Sequence, residues 1–289
     1  MLCSVIEKAY AKINFGLNVL PKREDGYHNI ESIFQTVSLY DELAITPCEK
    51  QGLNIQCDSM NLPENNTLVL AFKAFFEVTK IDSFGVDVKL KKRIPSGGGL
   101  GGGSADAAAF VRGLQKLSGT TLSYEQKQNI ASRIGSDVFF FMHCDDGKGC
   151  ALVSGRGEIL RYIEPRRDLY LLLLFPNVHS STKEAYSLLD DYYALGNKHR
   201  GLSFKEFETE YRRPVKDWTF ENSFTPCVAA KYSKIFAAME KLRNLGCEYV
   251  QMSGSGSTVY GVSCNRQQAW YLLNILSSAA CNLKLVQTV

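Results

Sequence analysis

The sequence predicts an α+β protein of two domains, the second of them ferredoxin-like. Three observations carry this reading. Apolar residues near the start alternate with the period of strands, a glycine tract leads straight into an Ala-rich helix, and residues 169–289 follow the order strand, helices, two strands, helix, strand. At 289 residues the chain suits one large domain or two ordinary ones. A break between Gly157 and Asp168 is expected, giving domains of 1–160 and 161–289.

The elements follow in order. Ile13, Phe15, Leu17 and Val19 alternate as in a half-buried strand, Asp25-Gly26 is a turn, and 30–45 returns as a second strand. Leu53 to Cys57 is a short third strand. Asn65 or Asn66 is the expected N-cap of a helix reaching about Lys80. Phe84, Val86, Val88 and Leu90 form a strand that runs into Pro95 and the glycines, and Ser104 to Leu117 is a helix. Ser123 and Gln126 make a capping box for the next helix, with Gly135 as its stop. In the second half, 169–175 is a strand and 181–189 a helix, while 191–225 is polar, aromatic and without a readable period. One long helix is expected from Pro226 to Leu245, with Pro at its start and Gly246 past its end. Strands 248–252 and 258–262, helix 265–279 and strand 283–289 complete the pattern.

Composition narrows the function. Apolar residues make up 45% and charged residues 22%, with 33 Lys and Arg against 30 Asp and Glu. This excludes a disordered, collagenous or coiled-coil chain, and a formal charge of +3 gives no electrostatic reason for a nucleic-acid or membrane partner. Nine cysteines are scattered with no Cys-x-x-Cys pair, which argues for reduced thiols rather than a disulfide framework or structural zinc. His143, His179 and His199 show no metal-ligand spacing, so no protein metal site is expected. The longest apolar run, 169–176, is far short of the roughly 20 residues that span a bilayer. Glu7, Lys8 and Lys12 spoil a signal peptide, and the expected location is cytoplasmic.

Residues 95–106 read PSGGGLGGGSAD, with six glycines in the seven positions 97–103. Between a strand and a helix start, such a loop can turn its N–H groups toward an anion, which the helix dipole also favours. A flexible linker is the plainer alternative. It is not a Walker loop, since no Lys follows the last glycine. Lys12 sits among apolar strand positions with Asn14 two residues on, either a snorkelling lysine or a placed charge. Asp137, between Gly135 and an aromatic run, reads as a solvent-facing cap or as a placed carboxylate. Tyr27 and His28 follow a turn and could be surface residues. Thr182 and Tyr186 share a helical face at i and i+4. Ser253 to Ser257 is a small-residue loop between strands. Asp145-Asp146, Asp190-Asp191 and Lys91-Lys92-Arg93 read most simply as solvated surface, although the acidic pairs could hold Mg²⁺.

Three segments in order resemble the three motifs of the GHMP kinases: YAKINFGL at 10–17, Ile94 to Ala109, and QMSGSGSTVYG at 251–261. Within that superfamily, 11–43 and 94–110 are similar to the members that phosphorylate a cytidine diphosphate-linked polyol. The likeness covers nearly the whole chain and is weakest over 191–225.

The resemblance implies a two-domain GHMP kinase fold, with a ribosomal S5 domain 2-like first half, and an ATP-dependent kinase using ATP and Mg²⁺. It implies that Lys12 and Asp137 are catalytic, Asp137 as the base. It places ATP at Pro95, Ser96, Gly97, Gly98, Gly99, Leu100, Gly101, Gly102, Gly103, Ser104 and Ala105. It gives the substrate to Asn14, Tyr27, His28, Thr182 and Tyr186, with Tyr27 stacking on cytosine and His28 reading its polar edge. Phe139 departs from the pattern, where similar enzymes often carry Pro. The expected partner is a small-molecule substrate, the chain being a monomer or weak homodimer. The alternatives are a GHMP kinase for mevalonate- or homoserine-like alcohols and a non-catalytic nucleotide-binding homologue.

Overall fold

The computed structural model describes residues 4–197, 201–277 and 282–289. His199 and the expected end of the last helix at 279 lie outside the described residues. The chain opens with two long strands, β1 (Val5–Lys22) and β2 (His28–Cys48), which pair with each other. At the turn between them, Gly26 has φ +82° and the Tyr27 amide donates to Asp25 Oδ1 at 3.1 Å. The alternation of β1 marks a strand, but not a half-buried one. Every residue from Ala9 to Val19 is buried, the polar Lys12, Asn14 and Asn18 included.

Two compact units form, neither of them one continuous segment. The first takes Met1–Ala11, Leu39–Ser96 and Gly101–Lys148, the second Lys12–Ser38, Gly97–Leu100 and Gly149–Val289. A division at residue 160 follows the order of elements along the chain. The contacts follow the long strands instead, since β1 and β2 each run through both units.

In the first unit, β3 (Leu53–Cys57) is followed by α1 (Thr67–Thr79), β4 (Gly85–Lys91), α2 (Gly102–Ser118), α3 (Tyr124–Ser132) and α4 (Ser136–His143). β4 lies antiparallel to the later part of β2, with Leu43 opposite Leu90, and β3 runs parallel to β4. Asn66 caps α1 through bonds to the Leu68 and Val69 amides, and the Ser123–Gln126 capping box opens α3. Helix α3 stops three residues short of Gly135, which instead precedes α4. The sequence pattern assigns no element to that aromatic run. A helix forms because Val138, Phe140, Phe141 and Met142 are all buried in this short segment, packed beside α2 and α3.

The second unit begins with β5 (Cys150–Ser154) and β6 (Ile159–Tyr162), two short strands without a sequence signal. β5 is antiparallel to the first part of β2, with Ile33 opposite Leu152. There follow β7 (Tyr170–Leu174), α5 (Thr182–Ala194), α6 (Phe207–Arg212), α7 (Thr225–Lys231), α8 (Ser233–Asn244), β8 (Tyr249–Met252), β9 (Val259–Ser263), α9 (Arg266–Ser277) and β10 (Leu283–Gln287). The sheet order β10-β7-β9-β8, antiparallel throughout, is that of a ferredoxin-like domain. The single helix expected over 226–245 is two. Tyr232, at φ −110° and ψ 87°, leaves the helical region, and its hydroxyl bonds Glu184 at 2.6 Å.

The stretch 191–225 supplies core. Phe207, Tyr211, Trp218 and Phe220 are buried, and Phe15 of β1 packs against Tyr211, Trp218 and Tyr260 at centroid distances of 5.9, 5.1 and 5.9 Å. The backbone of 221–223 bonds Leu17 on both sides, at 2.8 Å each. Its aromatics are spaced for an irregular layer over β1, so no helix or strand period marks them.

Candidate active site

Lys12 is 4% exposed, which excludes a snorkelling lysine and demands partners for its charge. Its ammonium donates to Asn14 Oδ1 at 2.6 Å and lies 4.3 Å from the centre of the Phe34 ring. The Asn14 amide nitrogen donates to Ser32 Oγ at 3.1 Å, and that hydroxyl donates to the Gly16 carbonyl at 2.6 Å. Because a carbonyl can only accept, the direction of the whole chain of bonds is fixed. The Ser32 oxygen faces the amide nitrogen, and the amide oxygen is left for Lys12. The Lys12 amide in turn donates to Leu100 O at 3.0 Å, tying this strand to the glycine loop.

Within the second unit, Gly97 and Gly99 have φ +70° and +73°. A Cβ on Gly99 would stand 2.1 Å from Ser253 O, and one on Gly97 3.3 Å from the His179 ring. Ser253 Oγ donates to Gly99 O at 2.9 Å and the Thr258 amide to Gly98 O at 3.3 Å. The 253–257 loop is therefore more than a tight hairpin. It is the bed on which the glycine loop lies, and it is held in turn by Ser180, which bonds Ser255 O at 3.1 Å, and Thr182, whose hydroxyl meets Ser255 Oγ at 3.1 Å.

The remaining glycines belong to the first unit. Gly101, at φ +70°, is the N-cap of α2, which has no side-chain cap and no acid in its first turn. The earliest bond back to this cap is made by Ala105, so the Gly102, Gly103 and Ser104 amides start the helix without a carbonyl behind them. A 17-residue helix opening this way suits the phosphates of a nucleotide. Gly103 has room around it, with Thr67 3.5 Å from a would-be Cβ.

The start of α2 rests on a buried ion cluster around Lys92, a residue whose charged neighbours in sequence suggest solvated surface. Lys92 bonds Asp41 at 2.5 Å and Asp106 at 2.8 Å, and all three side chains are less than a tenth exposed. Asp41 also accepts from the Arg93 and Ile94 amides, at 2.5 and 2.8 Å, fixing the chain where it enters the loop. Burial pushes the Asp106 carboxyl up to about 7, against the pull of Lys92 and with the help of Asp41. Burial also opposes the charge on Lys92, but the two carboxylates outweigh it and raise its pKa.

Asp137 is the second residue of α4, half-buried, in the first turn where the helix dipole favours a carboxylate. It is not the cap, a place taken by Gly135. Phe139 stands inside α4 and leaves the helix intact.

Tyr27 is 52% exposed, and the Arg156 guanidinium covers one face of its ring at 3.8 Å. His28 is buried. Its Nδ1 lies 2.7 Å from Leu20 O and its Nε2 3.1 Å from Asp190 Oδ1. The Tyr186 ring packs over it at 5.1 Å, and Phe224 meets Tyr186 edge-on at 4.9 Å. Asp190, read from sequence as a solvated surface acid, is thus a partner of His28 and of Lys22, the latter at 3.0 Å. A signal was there: Asp190 follows Tyr186 by four residues on the same helix.

Among the described residues no group of three or more His, Cys, Asp or Glu side chains could hold a metal ion. Magnesium that arrives with nucleotide phosphates needs only one or two protein oxygens, so the site remains compatible with it. The seven described cysteines are free thiols, and no described helix is long and apolar enough to cross a membrane.

Residues 66–145 match the GHMP kinases N terminal domain and 204–277 the GHMP kinases C terminal domain. The chain is 36% identical over 281 residues to the 4-diphosphocytidyl-2-C-methyl-D-erythritol kinase of Treponema pallidum (strain Nichols), covering 95% of each chain. It is 40% identical over 258 residues to the protein of that name from Thermotoga maritima, covering 88% of this chain and 90% of the other. The chain belongs to the 4-diphosphocytidyl-2-C-methyl-D-erythritol kinase family, within the GHMP kinases. A crystal structure of 4-(cytidine 5'-diphospho)-2C-methyl-D-erythritol kinase is similar at a TM-score of 0.76, with 27% identity and 98% and 99% of the two chains covered. A homoserine kinase from Cytophaga hutchinsonii, at 17% identity and a TM-score of 0.64, shares the fold. As a GHMP kinase the protein is a small-molecule phosphotransferase, and the open start of α2 fits the ATP that such kinases use.

Proposed function

We propose that this kinase transfers the γ-phosphoryl group of ATP to the C2 hydroxyl of 4-diphosphocytidyl-2-C-methyl-D-erythritol, a step toward isoprenoid precursors by the non-mevalonate route. The observation that carries the substrate is the aromatic corner of Tyr27, His28 and Tyr186, built on a turn and a helix of the second unit. A mevalonate- or homoserine-like alcohol has no base for such a corner to hold. A cytosine stacked on Tyr27 would use the face that Arg156 leaves open.

Lys12 is positioned by Asn14 and Ser32 to balance the charge that develops as the hydroxyl attacks. Asp137 takes the hydroxyl proton as general base. The amides at the start of α2 would hold the ATP phosphates, while ATP with Mg²⁺ supplies the phosphoryl group and neutralises its charge. Retention of Lys12 and Asp137 favours catalysis over a non-catalytic nucleotide-binding role.

The test is one assay. The purified protein is incubated with ATP, Mg²⁺ and each of 4-diphosphocytidyl-2-C-methyl-D-erythritol, mevalonate and homoserine, and ADP is measured. ADP release with the cytidine compound alone is expected, and release with another alcohol at equal or higher rate would reassign the substrate.

A further inference from the structure

We propose that Asp190 is a specificity-determining positioning residue: it clamps the His28 ring and so holds the nucleobase corner in its binding shape. The inference rests on the reading of a cytidine substrate given above.

Three residues on one side of α5 grip the end of the β1–β2 hairpin. Tyr186 lays its ring over His28, Asp190 bonds His28 Nε2 at 3.1 Å and Lys22 at 3.0 Å, and the Tyr193 hydroxyl donates to Val19 O at 2.8 Å. They stand at i, i+4 and i+7, the spacing of a single helical face. The His28 ring therefore has no loose edge. Leu20 O and the Asp190 carboxylate are both acceptors, so either ring nitrogen finds a partner for its proton within the chain, and the side chain of His28 is only 4% exposed.

The ring of His28 then serves as a wall that fixes the Tyr27–His28 turn beside Tyr186; its polar edge, which the resemblance assigns to the base, is instead engaged with Leu20 and Asp190. Without the carboxylate, Nε2 loses its acceptor in a buried place, and the ring is free to turn away from Tyr186. Asp190 itself need not touch the substrate. Its effect should appear in binding of the cytidine part alone, because ATP phosphates and the reacting hydroxyl are served by other residues.

The experiment compares wild type, Asp190→Ala and Asp190→Asn by titration with CDP and by steady-state kinetics with ATP and 4-diphosphocytidyl-2-C-methyl-D-erythritol. Loss of one charged hydrogen bond predicts that Asp190→Ala raises the CDP dissociation constant and the substrate KM about tenfold. In that variant kcat and the KM for ATP stay within about twofold of wild type. Asparagine keeps an acceptor oxygen for Nε2, so Asp190→Asn should remain within about threefold of wild type. Wild-type turnover with an unmoved KM in Asp190→Ala overturns the clamp alone. The clamp is equally overturned if Ala and Asn variants lose CDP affinity to the same extent, or if the KM for ATP rises alongside. No wild-type turnover of the cytidine compound overturns the substrate reading, and the clamp with it.

Discussion

The ammonium of Lys12 and the side-chain oxygen of Asn14 stand 2.6 Å apart, both buried, and the orientation of the amide is set from the far side by Ser32. A buried lysine held in this way is fixed in position before any substrate arrives, which is what charge stabilisation in a transition state requires. Lys12→Ala should lower kcat by about 10²-fold or more while the ATP dissociation constant stays near wild type. Ser32→Ala leaves the Asn14 amide without its acceptor and should lower kcat about tenfold, with Ser32→Thr restoring most of it. Stopped-time ADP assays and ATP titrations measure both; a pure loss of ATP binding in Lys12→Ala would move that residue to the nucleotide.

Asp137 is tested separately, because it stands on α4 in the other unit. Asp137→Asn keeps the shape and its place in the first turn but cannot accept a proton. Turnover should fall by about 10²–10⁴-fold with ATP affinity unchanged. Wild-type turnover in this variant would remove Asp137 from the mechanism.

Two glycines of one loop should respond differently. Gly99→Ala sets a methyl 2.1 Å from Ser253 O at a φ of +73°, so backbone must move. Its melting temperature should drop by about 5 °C or more, and ATP affinity with it. Gly103→Ala meets only ordinary contact with Thr67, at 3.5 Å. The fold should tolerate it, while a methyl at the start of α2 weakens ATP binding. Thermal melts beside ATP titrations separate the two, and unchanged ATP affinity in Gly103→Ala would place the phosphates elsewhere.

The buried Asp106 gives a pH dependence with a definite sign. Its carboxyl is raised from an ordinary 3.8 to about 7, chiefly by burial. Between those values the folded chain holds a proton that the unfolded chain has released. The folded state binds more protons there, so this group's contribution to stability is full below about pH 4 and is lost as pH rises through about 7. Melting temperatures from pH 5 to 8 should show wild type losing ground to Asp106→Asn as pH rises. A difference that is flat across the range would mean that Lys92 keeps Asp106 ionised throughout.

These residues also show how far a sequence can be read. The ferredoxin-like order was legible because the four strands of that sheet are short apolar runs with helical stretches between them, from Leu171 in β7 to Val286 in β10. Lys12 was visible as a charge in an apolar run, but its burial was not. Alternation reports polarity, and here the polar side of β1 faces a buried network instead of water. Lys92 and Asp190 were misread for a related reason. A charged residue beside other charged residues looks solvated until its partners arrive from far along the chain, as Asp41 does for Lys92 and His28 for Asp190. The break at Tyr232 had no Gly or Pro to announce it; the hydroxyl's bond to Glu184 is tertiary.

The last prediction concerns Tyr27. Its ring is half in solvent, with one face taken by Arg156 at 3.8 Å. A cation on one face leaves the other for a flat partner, and a pyrimidine stacked there should contribute about 1–3 kcal/mol. Tyr27→Ala should therefore raise the KM of the cytidine substrate by the corresponding factor, roughly 5- to 150-fold, and leave the KM for ATP where it was. Tyr27→Phe keeps the ring and should keep most of the affinity. For the same reason 2-C-methyl-D-erythritol 4-phosphate, which lacks the cytidine, should be a poor substrate of the wild type, since binding energy from the base is no longer available to the reaction. Steady-state kinetics on both compounds decide the matter. Equal rates on the two alcohols would mean that the corner around Tyr27 does not read a base, and the kinase would then act on another alcohol within the GHMP family.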